Sequence, residues 1–283
     1  MKARIIDGKL VSERLRGEIK AEAARFLAAH GRPPGLAVIL AGEDPASEIY
    51  VKNKITACES TGIKSVLHRL PACVTEAELV GLIESANRDE TVDGLLVQLP
   101  LPKGLDEKRI LSRVSPDKDV DGFHAVNAGN LLLGNPCLAA CTPSGIIELI
   151  KETGLPIAGK NAVVVGRSNI VGKPAALLLL QQNATVTICH SRTADLKSVT
   201  KTADILVAAV GIKAFITGDM IKPGAVVIDV GMNRFEGKLY GDVCFAEAAE
   251  TAGFITPVPG GVGPMTITML LKNTLKAAFA RAK

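Results

Sequence analysis

The feature that most constrains this chain is the alternation of short, almost unbroken apolar runs with helix-period segments. Gly35 to Ala41 reads GLAVILA, Asp93 to Gln98 reads DGLLVQ, and Lys160 to Gly166 reads KNAVVVG. A run of strand length without polar alternation has no wet face, which predicts a strand covered on both sides. The segments Ala3 to Ile6, Ile63 to Leu70, Thr185 to Cys189, Ile205 to Ala208 and Val226 to Asp229 read as further strands. Between them lie helical patterns. Val11, Leu15, Ile19, Ala23 and Phe26 share one face of a helix over roughly 9–29, which Gly31 and Pro33-Pro34 end. Thr75-Glu76-Ala77-Glu78 is a capping box that opens another. Strand and helix in alternation imply an α/β layer fold with a mainly parallel sheet. Aromatic residues make up only 3% of the 283 and tryptophan is absent, so Ala, Val, Leu and Ile must fill the core.

The same composition excludes several classes of function. The net charge of +4 is spread over interspersed lysines, arginines and carboxylates, with no basic run dense enough for a nucleic-acid surface. No apolar run approaches membrane-spanning length. The six cysteines form no C-x-x-C pair and the four histidines lack metal-ligand spacing, so reduced thiols and no metal are expected. With no signal-like start, a cytoplasmic protein is expected.

Candidate chemistry begins at Tyr50-Val51-Lys52-Asn53-Lys54. Asp44 and Pro45 read as the N-cap and first position of a helix, and Gly62 as its stop. Val51, Ile55 and Cys58 are expected on its core face, with Tyr50 and Lys54 together on the border. Partial desolvation favours the neutral form of an amine, which can then act as a base. Gln98 ends a strand of the same sheet, so it is expected on the same rim, where parallel sheets bind ligands. Ser115 to Asp121 is rich in carboxylates. Asp117, Asp119, Asp121 and Gly122 copy half of a calcium loop, but Ala128 stands where the bidentate glutamate belongs. One carboxylate is therefore expected to face the site. Helices are expected near Ala125 to Leu133 and from Pro143, capped by Thr142, to Lys151.

A second α/β unit follows, resembling a dinucleotide-binding domain. Its first strand leads through Gly166, Arg167 and Ser168 to Gly172 and a helix. Ser168 stands where G-x-G-x-x-G has its second glycine, and Gly172 comes one residue late. The helix N-terminus is expected to meet a phosphate. After the next strand, His190-Ser191-Arg192-Thr193 offers a hydroxyl and a guanidinium where NAD-binding sites carry an acid. With Arg167 these favour a 2′-phosphate, and so NADP over NAD. Near the end, Pro259-Gly260-Gly261-Val262-Gly263-Pro264 can bring backbone close to a ligand.

Taken together, Tyr50–Lys54, Val97-Gln98-Leu99-Pro100-Leu101-Pro102, Pro116-Asp117-Lys118-Asp119-Val120-Asp121-Gly122, the Gly166–Pro174 turn and Pro259–Thr266 resemble the bifunctional methylenetetrahydrofolate dehydrogenase/cyclohydrolases over essentially the full length. That resemblance implies two α/β domains. The first, 1–140 plus 265–283, would be a folate-binding catalytic domain to which the C-terminal helix returns. The second, 141–264, would be a Rossmann-like NADP domain. It implies a cytoplasmic or mitochondrial homodimer acting on one-carbon derivatives of tetrahydrofolate. By the same resemblance Lys54 is the catalytic lysine, Gln98 orients it, Tyr50 stacks on the folate, and Asp121 accepts from the pterin edge. Val97, Leu99, Pro259, Gly260 and Gly261 would line the substrate. Gly166, Arg167, Ser168, Ser191 and Arg192 would hold the cofactor phosphates, with Met232 beside the cofactor. A different two-domain NAD(P) dehydrogenase, of amino-acid or shikimate type, and a catalytically silent NADP-binding protein remain as alternatives.

Overall fold

The computed structural model describes residues 2–282. In chain order the elements are β1 (Arg4–Ile5), α1 (Gly8–His30), β2 (Gly35–Ala41), α2 (Pro45–Thr61), β3 (Lys64–Leu70), α3 (Glu76–Arg88), β4 (Gly94–Val97), α4 (Glu107–Leu111), α5 (Ala125–Leu133) and α6 (Cys141–Lys151). They continue with β5 (Asn161–Val165), α7 (Gly172–Gln181), β6 (Thr185–Cys189), α8 (Leu196–Thr200), β7 (Ile205–Ala208), β8 (Val226–Asp229), β9 (Asn233–Phe235), β10 (Lys238–Tyr240), α9 (Phe245–Thr251), β11 (Phe254–Ile255) and α10 (Val262–Arg281).

The chain divides into two compact units. One takes Arg14–Cys141 with the segment from Ile267 onward; the other takes the chain up to Glu13 with Thr142–Thr266. The expected domains placed the first residues with the catalytic part. Instead β1 hydrogen-bonds β11 in parallel, Arg4 opposite Phe254 and Ile5 opposite Ile255, so this segment joins the other sheet. Two residues at a chain start carry no periodicity that could name their partner. Met1 and Lys283, the outer limits of the expected ranges, lie outside the described residues.

In the first unit, β3-β2-β4 form a parallel sheet with β2 in the middle. All seven residues of β2 are buried, as its unbroken apolar run requires. The edge strand β3 alternates between exposed and half-buried side chains. Val11, Leu15, Ile19, Ala23 and Phe26 of α1 are buried on one face. α3 opens with the expected capping box, Thr75 with Glu78. Asp93, just before β4, is fully buried: it accepts a hydrogen bond from Gly35 N (2.8 Å) and a bidentate pair from Arg32 (2.7 and 2.8 Å). That carboxylate ties the start of β4 to the start of β2.

In the second unit, six parallel strands run in the order β1-β11-β8-β7-β5-β6. The chain goes from β5 outward to β6 and then crosses back to β7 on the other side of β5. Strand order therefore reverses between β5 and β7, the place where open parallel sheets bind nucleotides. The hairpin β9–β10 is antiparallel and stands apart from the sheet. α6 begins at Cys141, two residues before the expected Pro143 start. Thr142 consequently lies inside the helix, where its hydroxyl bonds that of Thr266 (2.9 Å) in place of capping.

Asp93→Ala should lower the unfolding free energy by about 1–3 kcal/mol, the cost of stranding the buried Gly35 N–H. Arg32 adds little because its side chain is 31% exposed and can turn to water. Asp93→Asn, which keeps an acceptor for Gly35, should cost less. Urea midpoints of the two variants check the ranking.

Candidate active site

Tyr50 and Lys54 lie on α2, and the geometry of that helix follows from its ends. Asp44 accepts from Ser47 N (2.8 Å) as the N-cap, Pro45 takes the first position, and Gly62 closes it at φ +78°. The buried face differs from the sequence expectation. Val51 and Cys58 are buried, but Lys54 fills the inward position between them at 8% exposure, and Ile55 is only half-buried. The helix is rotated so that the lysine points in, because Gln98 waits there: Lys54 Nζ donates to Gln98 Oε1 (3.0 Å). Tyr50, one turn earlier, is 39% exposed.

Gln98 is set by the sheet. Its N–H donates to Ile39 O (2.9 Å), extending the β2–β4 ladder by one step, and its Nε2 donates to Leu99 O (2.6 Å). With both amide ends fixed, Oε1 faces the amine. Val97 is buried beneath, Leu99 is half-buried, and the Leu99–Pro100 peptide is cis.

Asp121 is partly buried in the same unit. Burial pushes its carboxyl above the usual carboxylate range; the Lys54 charge opposes that rise and neighbouring Asp119 adds to it. Asp119 has another occupation. It accepts from Phe123 N (3.2 Å), His124 N (2.8 Å) and Asn127 Nδ2 (2.9 Å), closing the loop before α5. One carboxylate of the run thus builds the loop and another, Asp121, feels the Lys54 charge. Among the described residues no cluster of His, Cys, Asp and Glu could hold a metal ion.

Lys118 carries a structural role that sequence reasoning missed. It is fully buried, and its Nζ donates to Ala86 O (2.9 Å) and Asp89 O (2.7 Å) at the C-terminal end of α3. Its carbonyl accepts from Leu95 N (2.7 Å). The lysine therefore anchors the Asp119–Asp121 loop to both a helix end and β4. A lysine within a run of aspartates reads as solvated charge, and only the distant carbonyls reveal otherwise.

In the other unit, Gly166 (φ +130°) leaves β5 at the switch point. A Cβ there would collide with Ala209 O, and one at Gly172 would collide with Gly166 O. The two glycines let three backbone segments meet at the head of the sheet. The expected open helix N-terminus is corrected by Ser168. Its Oγ accepts from Val171 N and Gly172 N (both 3.2 Å), its carbonyl accepts from Lys173 N (3.1 Å), and Pro174 has no N–H. The first turn of α7 is already satisfied within the chain. What remains for an anion is the Ser168 hydroxyl proton and the exposed side chains of Arg167, Ser191 and Arg192. His190 shapes the last pair: its N–H donates to Thr193 Oγ1 (2.8 Å), and Arg192 N donates to its Nδ1 (3.1 Å). A backbone cradle that admits no Cβ, rimmed by hydroxyls and guanidiniums, suits the phosphates of a dinucleotide. Met232, between β8 and β9, is 49% exposed in the same unit, where Pro259, Gly260 and Gly261 also lie.

A six-stranded parallel sheet with a switch point in one unit, and a three-stranded parallel sheet with a buried lysine on its following helix in the other, define a two-part α/β protein with a Rossmann-like unit. A family model described as the tetrahydrofolate dehydrogenase/cyclohydrolase catalytic domain matches residues 6–121, and one for the NAD(P)-binding domain of the same family matches 140–282. The bifunctional protein FolD of Moorella thermoacetica is 59% identical over 279 residues, covering 98% of this chain and 99% of its own. The crystal structure of the bifunctional FolD methylenetetrahydrofolate dehydrogenase/cyclohydrolase from Campylobacter jejuni superposes at TM-score 0.95 with 47% identity, covering 99% of both chains. FolD from Trypanosoma brucei, solved with NADP and an inhibitor, superposes at 0.94 with 40% identity, covering 99% of this chain and 98% of its own. The chain belongs to the tetrahydrofolate dehydrogenase/cyclohydrolase family. It is a bifunctional enzyme with a dehydrogenase and a cyclohydrolase activity, and the readings as an amino-acid or shikimate dehydrogenase or a silent binding protein fall away.

Burial, aided by the Arg281 charge, lowers the Lys118 ammonium to about 8. The folded protein then holds fewer protons than the unfolded chain between that value and the ordinary lysine value of about 10.4. Stability from this group should therefore rise with pH across that window. Urea unfolding at about pH 7.5 and 10 should show the wild type gaining on Lys118→Met; parallel shifts would leave Lys118 without this role.

Proposed function

We propose that this chain oxidises 5,10-methylenetetrahydrofolate with NADP and then hydrolyses the 5,10-methenyl product to 10-formyltetrahydrofolate. The observation that carries the reading is the buried Lys54 amine held by Gln98, with Asp121 nearby in the same unit. Lys54 assists proton transfer as water attacks the methenyl carbon. Gln98 Oε1 accepts a hydrogen bond from the amine and so fixes where the amine points. Tyr50, exposed one turn away on α2, offers a face on which the folate ring stacks. Asp121 accepts hydrogen bonds from the donor edge of the pterin. Val97 and Leu99 complete the substrate contacts of this unit, and Pro259, Gly260 and Gly261 of the other unit are part of the same proposal as substrate residues.

Gly166, Arg167, Ser168, Ser191 and Arg192 would hold the dinucleotide phosphates, with Met232 beside the cofactor. NADP bound there supplies the two-electron acceptor for the hydride leaving the methylene carbon. Ser191 and Arg192 stand at the end of β6 where NAD sites carry an acid for the free ribose 2′-hydroxyl, and the next carboxylate along the chain, Asp195, is taken up capping α8 through Ser198 N, which supports the choice of NADP over NAD. A homodimer working in the cytoplasm is part of the same proposal.

In an assay with methylenetetrahydrofolate, reduced cofactor should appear while the methenyl absorbance stays low. Lys54→Met should lower methenyl hydrolysis at least a hundredfold, of the order expected for loss of a proton-transfer group, and leave NADP affinity within about twofold. Hydrolysis at the wild-type rate in that variant would remove Lys54 from the mechanism. Replacing Arg192 by Ala should raise the KM for NADP by roughly tenfold, the equivalent of about 1.4 kcal/mol from a charge-assisted contact, with little change in the KM for NAD. Equal effects on the two would contradict the 2′-phosphate assignment.

A further inference from the structure

The edge assigned to NADP is held by two buried carboxylates that neither the sequence reading nor the reaction uses. Asp242 is fully buried, and its carboxylate accepts from residues that follow β7 and β8. Its Oδ2 accepts from Val210 N (2.6 Å) and Gly211 N (2.9 Å); its Oδ1 accepts from Ile212 N (3.0 Å) and Asn233 Nδ2 (2.9 Å). Three successive backbone donors converging on one carboxylate form a nest, a backbone shape that an anion stabilises. Gly211 takes φ +69° within it.

Asp229 is the second carboxylate, 3% exposed at the end of β8. Its Oδ1 accepts from Gly231 N (3.0 Å) and Asp242 N (2.8 Å), and its Oδ2 from Val243 N (3.0 Å). Its own N–H donates to Thr256 Oγ1 (2.8 Å), at the root of the glycine-proline segment. Burial raises its carboxyl to about 6, while the three backbone donors pull the other way. The packing leaves no slack: a Cβ on Gly231 would overlap Asp242, and one on Gly241 would overlap Asp229.

The two carboxylates thus act on the loops that a dinucleotide would meet. Residues 210–212 follow Ala209, whose carbonyl packs against Gly166 at the switch point. Gly231 and Asn233, which flank Met232, are each tied to one of the pair. We propose that Asp242 and Asp229 are positioning residues for the dehydrogenase reaction, clamping the 210–212 and 231–233 loops in the shape that receives NADP. The proposal rests on the assignment of this edge to NADP. Neither carboxylate has to touch the cofactor; each acts through backbone N–H groups that would otherwise be stranded or free to turn.

Asp242→Asn is the direct test. An amide keeps the volume but replaces one acceptor oxygen with a donor, which must face an N–H group. Calorimetric titration with NADP should give a Kd at least tenfold above wild type. Hydrolysis of methenyltetrahydrofolate, which needs no electron acceptor, should stay within twofold in the absence of NADP. Asn233→Ala is the milder companion. It removes one of the four bonds to Asp242, leaves the carboxylate in its nest, and should raise the NADP Kd two- to fivefold; it decides the matter if Asp242→Asn does not fold. Unchanged NADP affinity in the folded variants would overturn the positioning role. Equal loss of hydrolysis and NADP binding would also overturn it, reducing the pair to general stability. Failure of the wild type to bind NADP would instead overturn the assignment of the edge itself.

Discussion

Parallel pairing of the strands is the constraint on which the rest depends. In a parallel ladder every strand points the same way, so every carboxyl end falls on one edge and every chain leaving that edge starts from a fixed place. Ile39 sits opposite Val97 in the β2–β4 register, and the ladder extends to Gln98 through its bond to Ile39 O. α2 departs from that same edge just after Ala41. The 3.0 Å approach of Lys54 to Gln98 is a consequence of that register and of the Asp44 cap that sets where the helix starts. A slip of one residue would turn Gln98 to the other face.

Apart from Lys54, whose partner is the Gln98 side chain, the buried charged groups described above each bond at least one backbone group. Asp93, Asp119, Asp229 and Asp242 each accept from two or more main-chain or side-chain donors, and Lys118 donates to two carbonyls. Taking such groups out of water is tolerable only when their hydrogen-bonding capacity is filled. The arrangement has a structural consequence. Apolar packing fixes how strands and helices lie together, but it is indifferent to the path of a loop; a carboxylate that demands three N–H groups is not. The loops next to the proposed sites are the ones held in this way.

The turn after β5 departs from the usual glycine-rich pattern for a physical reason. Ser168 occupies the second glycine's place and bonds the first N–H groups of α7 with its own oxygen atoms. The glycines that remain, Gly166 and Gly172, are those where a Cβ would strike backbone. The groups left open to an anion at this turn are therefore hydroxyl and guanidinium side chains and not the helix N-terminus.

The sequence by itself determined the layer fold, the strands β2, β6, β7 and β8 to their end residues, the capped ends of α2 and the capping box of α3, and the motifs that carried the family. These are local: each follows from periodicity, a cap or a turn within a few residues. Only the tertiary structure decided the rest. It moved the first residues to the other sheet through two rungs with β11. It turned Lys54 rather than Ile55 inward, because the partner that rewards the rotation is Gln98, forty-four residues away. It made Lys118 an anchor and Asp242 a clamp, since their acceptors and donors lie about thirty residues away along the chain. A polar side chain's role is set by what stands opposite it, and for these residues that neighbour exists only once the sheets have closed.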